Sequence, residues 1–318
     1  MLQLSIENTE IDLALDVYEQ AKAYIYNSKS SSTRKAYRSD WNDFSGWCSQ
    51  QNLSSLPSTP QIVTAYLVRK AEKVKPSTLK RRLVSINHAH LASGHKFDSK
   101  HPLIVEVMKG IDNVKGTSQT QKAPILLEDL QGMMSEIKDD LRGKRDRALL
   151  LLGFSGAFRR SELVSIQIED CAFVKDGLEV LLRRSKTDQA GQGHLLAIPY
   201  GSKLSTCPVR SIQDWIESSD LKEGALFRGV NRHGHISSQG LNAASVALIV
   251  KRNQYLLGRE GNFSGHSLRA GFCTQAARKG VPEHAIMKQS RHKTSACLKR
   301  YIRIADRWKN NAASELGL

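Results

Sequence analysis

Residues 265–269 read Gly-His-Ser-Leu-Arg, and they are followed by His292 and, nine positions later, by Tyr301. Two further basic stretches lie upstream: residues 156–163 read Gly-Ala-Phe-Arg-Arg-Ser-Glu-Leu, and residues 183–188 read Arg-Arg-Ser-Lys-Thr-Asp. Each stretch by itself is common in a chain with 47 Lys+Arg and 10 His. Their meaning therefore depends on how the surrounding chain is organised.

The composition indicates a globular protein with a polyanionic partner. The chain has 318 residues, of which 40% are hydrophobic, and this is enough for two domains. Its formal net charge of +16 favours binding to nucleic acid or to an anionic membrane. No signal peptide is visible at the start, and the apolar runs fall short of the ~20 residues that a spanning helix needs. We therefore expect no membrane partner.

The cysteines favour neither zinc nor disulfides. They are five in number, widely separated, and none forms a Cys-x-x-Cys pair. No carboxylate cluster of the kind that holds magnesium is apparent either, so we expect no metal site and no cofactor. A reducing cytoplasm is the expected location.

The first part of the chain predicts a small all-helical domain. Residues 11–27 show helical spacing, the serines at 30–32 offer N-caps for a helix to about Gln51, and Pro60 and Pro76 each precede another helical pattern. The polar stretch 116–122 lacks periodicity and predicts a linker. We therefore expect a small helical domain at 1–115 and a second domain at 123–318.

The second domain is predicted to be mainly helical with a small β-sheet. Helical patterns occur at 126–137 and 144–154, and the apolar runs 178–182 and 194–198 predict a hairpin. From Pro208 the chain is expected to be mostly helical, including a helix at 237–252. The predicted fold class is mainly α with a small β-sheet (α+β).

The residue types in these stretches suit phosphoryl transfer. Arginine can hold two non-bridging phosphate oxygens, lysine can protonate a leaving oxygen, and a tyrosine can attack when cations stabilise its oxyanion. Taken singly, each has a simpler explanation. An Arg-Arg-x-Glu can be a solvated helix end, and a lone tyrosine on an apolar stripe is usually core.

The joint order Arg…Lys…His-x-x-Arg…His…Tyr resembles the tyrosine recombinase (phage integrase) family. The resemblance extends upstream to residues 32–41 and includes Cys207-Pro208-Val209-Arg210, so it covers nearly the whole chain. It is closest to the simple two-domain type, such as the Cre and Xer recombinases. The resemblance implies a two-domain, C-shaped clamp on duplex DNA, with a core-binding and a catalytic domain.

The resemblance also implies a role for each residue. Tyr301 would attack the scissile phosphate to give a 3′-phosphotyrosine, and Lys186 would protonate the leaving 5′-oxygen. The phosphate would be held by basic side chains, namely Arg159, Arg269 and His292. His266 would handle the tyrosine proton or hold the phosphate, and Glu162 would orient the cluster. Arg291 stands where the family usually has glycine, so the resemblance fixes the local turn and the placement of His292 less firmly.

Other parts of the chain are expected to contact DNA or other protomers. Polar and basic residues on three predicted helices are the candidates for DNA contacts: Arg34, Lys35, Arg38, Ser77, Lys80, Arg81, Arg82, Gln239, Lys251 and Arg252. The expected partner is double-stranded DNA with an inverted-repeat site. By resemblance, the tail beyond Tyr301 would join a homotetramer, although packing on its own domain is nearly as well supported.

Two other functions remain open at this level. A type IB topoisomerase would share the tyrosine and the cations, but the helical N-terminal domain argues against it. A non-catalytic DNA-binding protein would need neither Tyr301 nor Lys186. The expected function is thus site-specific recombination through a Holliday junction.

Overall fold

A computed structural model describes residues 15–118, 122–183, 193–305 and 316. The chain divides into two compact units, Met1–Gln119 and Thr120–Leu318. The predicted linker at 116–122 spans this division, while the assignment of a DNA-binding and a catalytic role to the two units stays a prediction. Lys186 and most of the tail after Tyr301 lie outside the described residues. No helix in the described ranges is long and apolar enough to cross a membrane.

The described part of the first unit is helical throughout. Its helices are α1 (Leu15–Asn27), α2 (Ser31–Gln50), α3 (Pro60–Ala71), α4 (Pro76–Ala92) and α5 (Pro102–Lys115). The last three begin with a proline, whose fixed φ suits the first helical turn and whose missing N–H costs nothing there. Helix α2 begins where the Ser30 side chain accepts a hydrogen bond from the Thr33 N–H.

A polar network ties α2 to α3 and α4 beside the apolar core of the first unit. Arg81 donates to both carboxylate oxygens of the buried Asp40, at 2.8 and 2.9 Å. Asp43 accepts from Tyr66 Oη at 2.6 Å and from Arg82 Nη1 at 2.7 Å. The neighbouring core is aromatic and aliphatic, with Phe44, Tyr66, Leu67, Leu79, Ile86 and Ile104 buried together.

The second unit combines helices with two small sheets. Its helices are α6 (Leu127–Glu136), α7 (Leu141–Ser155), α8 (Arg160–Ser165), α9 (Pro208–Ser219), α10 (Ala243–Leu256), α11 (His266–Arg278), α12 (Glu283–Ser290) and α13 (Ser295–Ala305). Its strands are β1 (Cys171–Val174), β2 (Gly177–Leu182), β3 (His194–Pro199), β4 (Arg228–Val230) and β5 (Ile236–Gly240). Short 3₁₀ helices occupy Ile168–Asp170 and Leu204–Thr206. The mainly helical α+β fold class is confirmed.

The structure has more strands and one more sheet than the sequence predicts. The hairpin of β2 and β3 forms as predicted, with Leu178 opposite Ile198, and β1 adds an antiparallel edge. Strands β4 and β5 pair with each other in a second sheet. The helix predicted at 237–252 is therefore wrong at its start, because Asn242 caps α10 by accepting from the Ala244 and Ser245 N–H groups. Gln239 consequently lies on β5.

Residues 148–153 of helix α7 are buried on all sides in the second unit. Leu149, Leu150, Leu151 and Leu152 are 0–3% exposed, as expected for a central helix. Helix α11 crosses the segment at Ile125 so closely that a Cβ on Gly271 would stand 1.7 Å from the Ile125 carbonyl oxygen. Glycine is required there because the obstacle is backbone, which cannot rotate away.

This close approach predicts that Gly271→Ala destabilises the second unit. Overpacking of this kind typically costs about 1–3 kcal/mol. Gly110→Ala in α5 is the control, since a Cβ there meets nothing within 4 Å and alanine favours a helix by about 0.5–1 kcal/mol. Urea unfolding of both variants gives the comparison. An unchanged midpoint for Gly271→Ala would contradict the close packing of α11 against Ile125.

Candidate active site

A buried carboxylate organises the first turn of α8. Glu162 is 2% exposed, and its carboxylate accepts from the Arg159 backbone N–H at 2.9 Å and from the Arg159 guanidinium. The other guanidinium on it belongs to Arg291, at 2.9 Å. Burial alone would raise the pKa of Glu162, but these cations and the N–H donor hold it below its usual value. Glu162 is therefore ionised and fixes the side chain of Arg159.

Helix α11 places Arg269 in the interior with one nitrogen unused. The residue is 1% exposed, and its Nη1 donates to the carbonyl of Ala157 at 2.8 Å. Its Nη2 is buried and has no hydrogen-bond partner among the described residues. Burial, followed by the charge of Arg159, lowers the pKa of Arg269 to about 10, so it is still a cation at neutral pH. A buried, unpartnered guanidinium nitrogen is costly unless an anion binds it.

Tyr301 and His266 form a hydrogen-bonded pair between α13 and α11. Tyr301 Oη lies 3.0 Å from His266 Nε2, and the Tyr301 ring is 5% exposed. Desolvation, then the charges of Arg269, Arg300 and Arg159, lowers the pKa of His266. Burial raises the pKa of Tyr301. At neutral pH a neutral imidazole therefore faces a protonated phenol, which is the arrangement that a general base needs.

His292 follows α12 and stands beside this pair. Its ring centroid is 6.0 Å from that of Tyr301, and its Nδ1 lies 2.7 Å from the Oγ of the buried Ser290. The single hydroxyl proton of Ser290 can be donated either to the Ile286 carbonyl, at 2.6 Å, or to His292 Nδ1. Burial and the charges of Arg269 and Arg159 lower the pKa of His292 to about 3. The ring is neutral at physiological pH, and Ser290 holds its orientation.

Arg291, which stands where the family usually has glycine, takes the backbone conformation that glycine favours. It ends α12 in the left-handed region, with φ 57° and ψ 39°. This conformation costs a residue with a Cβ about 1–2 kcal/mol. The turn before His292 therefore forms with an arginine in it, and the buried side chain of Arg291 contacts the Gly156 carbonyl, which precedes α8, and Glu162, which lies in α8.

The structure brings five of the six predicted catalytic residues together: Arg159, His266, Arg269, His292 and Tyr301. Glu162 lies among them. The sixth, Lys186, lies outside the described residues. Sequence reasoning missed the use of Ser290, and it treated Arg291 only as a departure from the family pattern. The signal in the sequence was an arginine at position 291, where the family usually has glycine, because it places a long side chain in this turn.

Several of the predicted DNA-contact residues are held within the protein. Arg34 donates to the carbonyls of Tyr26 and Lys29 and stacks on the Tyr26 ring at 3.9 Å. Arg82, with a 13% exposed side chain, binds Asp43 and Tyr66. Arg252 binds the buried Asp146. These three arginines support packing.

The remaining candidates lie on the surface. Lys35 and Arg38 are exposed on α2, as is Ser77 in the first turn of α4. Lys80 and Arg81 are also about half exposed, although each is paired, with Asp112 and Asp40 respectively. Gln239 on β5 and Lys251 on α10 are exposed as well. Their contacts with DNA stay a prediction.

Comparison with known proteins gives one consistent result. Residues 125–307 match the phage integrase family. The chain is 38% identical over 317 residues to an integrase/recombinase XerD homolog of Selenomonas ruminantium, covering 98% of this chain and 93% of that protein. It is 24% identical over 303 residues to tyrosine recombinase XerC of Syntrophus aciditrophicus strain SB, covering 87% and 88% of the two chains.

Solved structures share the fold at low identity. A lambda integrase dimer bound to a COC′ core site aligns with a TM-score of 0.60 at 15% identity, covering 93% of this chain and 77% of that one. XerH recombinase in a post-cleavage complex with palindromic difH substrate aligns with a TM-score of 0.56 at 16% identity, covering 82% and 72%.

The fold and the tyrosine–histidine–arginine cluster define a tyrosine-type DNA strand transferase. The chain belongs to the phage integrase family of tyrosine recombinases.

The burial of Glu162 predicts a pH-dependent loss of stability. Glu162→Gln removes the charge that two arginines face, and breaking a buried pair in this way costs about 3 kcal/mol. Because the folded-state pKa of Glu162 is lowered, its contribution is complete above the unfolded pKa and is lost as the pH falls through the folded pKa.

Urea unfolding of wild type and Glu162→Gln between pH 3 and pH 7 measures this contribution. We expect a constant difference above about pH 5 that shrinks at lower pH. Glu217→Gln, on the exposed side of α9, is the control and should change stability by less than about 0.5 kcal/mol. If the free energies of unfolding of wild type and Glu162→Gln differed more as the pH falls, Glu162 would not be held ionised.

Proposed function

We propose that this protein is a site-specific DNA recombinase that breaks and rejoins DNA through a covalent bond to Tyr301. The observation that carries the proposal is the buried, unpartnered Nη2 of Arg269 in the same cluster as the Tyr301–His266 pair. The unused donor of Arg269 suits an anionic substrate, and the neighbouring Tyr301 suits a substrate that an oxygen nucleophile can attack. A phosphodiester meets both requirements.

The nucleophile is activated by proton transfer. Tyr301 Oη attacks phosphorus as its proton passes to His266 Nε2, which is 3.0 Å away and neutral at physiological pH. The P–O5′ bond breaks, leaving a 3′-phosphotyrosine, and the 5′-oxygen takes up a proton from Lys186. Attack by another 5′-hydroxyl reverses these steps. The phosphotyrosine keeps the energy of the original ester, so rejoining needs no ATP.

The pentavalent transition state carries more charge on its non-bridging oxygens than the substrate does. Arg159 and Arg269 supply fixed cations for these oxygens, which is the form of catalysis that preorganised donors provide. His292 donates from Nε2 when the Ser290 hydroxyl turns from the Ile286 carbonyl toward Nδ1. The neutral ring then carries its proton on the side away from Ser290.

A nicked suicide duplex tests the chemistry. We expect wild-type protein, incubated with a nicked duplex that carries the inverted repeats flanking its gene, to give an adduct stable on a denaturing gel. Tyr301→Phe should bind the same duplex and give no adduct, because it lacks the attacking oxygen. Binding by wild type without an adduct would leave only a DNA-binding role. Relaxation of a supercoiled plasmid that lacks the repeats would instead indicate a topoisomerase.

We infer that the surface residues on α2 and α4 contact DNA phosphates, whereas Arg82 supports the fold. Lys35→Ala should weaken binding to a labelled duplex and reduce the slope of log K against log salt by about 1. Arg82→Ala should leave that slope unchanged and lower the unfolding temperature, since Asp43 and Tyr66 lose a donor. Fluorescence anisotropy at several salt concentrations and thermal melts make the comparison. Equal salt slopes for Lys35→Ala and wild type would remove Lys35 from the interface.

The assembly proposed is a homotetramer on two copies of an inverted-repeat site, acting in the cytoplasm in association with the nucleoid. What supports it is membership of the recombinase family, together with structural neighbours that were solved bound to DNA, one of them on a palindromic substrate. Exchange proceeds through a Holliday junction. The part assigned to the tail after Tyr301 rests on the sequence alone, since most of it lies outside the described residues.

A further inference from the structure

Arg291 occupies a backbone conformation that its side chain does not favour. Its φ of 57° lies in the left-handed region, where a Cβ is crowded by the neighbouring backbone. Asp220, at the end of α9, is in a similar conformation with φ 51° but is exposed on the surface. The Arg291 side chain is only 6% exposed, so its strain must be offset by interior contacts.

The Arg291 guanidinium spans three segments of the second unit. Its Nη1 donates to the carbonyls of Gly156 at 3.0 Å and Gln289 at 2.8 Å. Its Nη2 donates to Glu162 Oε2 at 2.9 Å and to the Ala157 carbonyl at 3.3 Å. The guanidinium also lies 5.0 Å from the centre of the Phe158 ring.

Two of these contacts lead to residues of the site. Glu162 holds the guanidinium of Arg159, and the Ala157 carbonyl also accepts from Arg269 Nη1 at 2.8 Å. His292 is the next residue along the chain. A single side chain thus joins the turn that carries His292 to the supports of Arg159 and Arg269.

Arg291 does not act as a phosphate ligand. Both of its terminal nitrogens already donate to protein oxygens, and its Nε, which has no hydrogen-bond partner among the described residues, is buried within the almost fully enclosed side chain. Its influence on a substrate therefore passes through the residues that it holds.

We propose that Arg291 is a positioning residue, which locks the His292 turn onto the Arg159–Glu162 pair and sets the geometry of DNA cleavage. This rests on the proposed function. Glycine at this position would relieve backbone strain but leave nothing between the two segments. The effects of Arg291 on stability and on positioning can therefore be separated in Arg291→Gly. This variant should lose little stability but much of its rate of DNA cleavage.

The test compares single-turnover cleavage of the nicked suicide duplex at saturating protein. We expect Arg291→Gly to bind the duplex within about twofold of wild type and to form adduct about 10²-fold more slowly, the loss typical of catalytic groups displaced by about 1 Å. Arg291→Lys keeps a charge near Glu162 without bridging the carbonyls, so it should be intermediate. Asp220→Gly, the same backbone change away from the site, should cleave at the wild-type rate.

The pH profile separates positioning from general support of the fold. Without Arg291, the pKa of Glu162 rises because one cation fewer offsets its burial, so protonation of Glu162 should add to that of the general base His266 and move the acid limb of the cleavage profile to higher pH. In a Glu162→Gln background, Arg291→Gly should slow cleavage far less than it does in wild type, because both changes break the same link.

The outcomes are distinct. If wild type cleaves the duplex and Arg291→Gly cleaves it equally fast, the positioning role of Arg291 is overturned and the proposed function stands. Additive losses in the double variant overturn it as well. If Arg291→Gly does not fold, the rate of Arg291→Lys decides, and a wild-type rate for that variant overturns the proposal. If wild type itself forms no adduct, the proposed function fails and this inference fails with it.

Discussion

The candidate site depends on one buried carboxylate that lies between two arginines. Glu162 accepts from Arg159 on one side and from Arg291 on the other, and it is nearly without solvent contact. Burial and then the charge of the neighbouring Arg159 lower the pKa of Arg269. Positive charges cannot be packed this closely in a low-dielectric interior without an anion. Glu162 supplies that anion, and the cluster still keeps an excess of positive charge.

The excess of positive charge in this cluster suits the binding of a phosphate. Arg269 keeps a buried nitrogen without a partner among the described residues, while His266 and His292 are held neutral by burial and nearby cations. A phosphodiester would satisfy the free nitrogen and offset the surplus charge. Donors that are fixed before the substrate arrives need no reorganisation when charge develops.

The large net charge of the chain has more than one use. Arg82, Arg34 and Arg252 bind carboxylates or carbonyls of their own unit, so they hold helices together. Lys35 and Arg38 are exposed on α2 and are available to a polyanion. Counting basic residues along a helix does not separate the two groups. The difference arises from acidic partners such as Asp43, which lies on another helix.

The sequence by itself determined helices α1 to α4, α6 and α7, the β2–β3 hairpin and five of the residues that meet in the site. Caps, prolines and apolar spacing are local signals, and the order of the basic residues with Tyr301 carried the family resemblance. Only the tertiary structure decided the strands β1, β4 and β5, the packing role of Arg82 and the bridging contacts of Arg291. Short strands form because a partner strand satisfies their backbone groups, and ion pairs join residues far apart in the chain. Neither leaves a local pattern, because both depend on which segments the fold brings together.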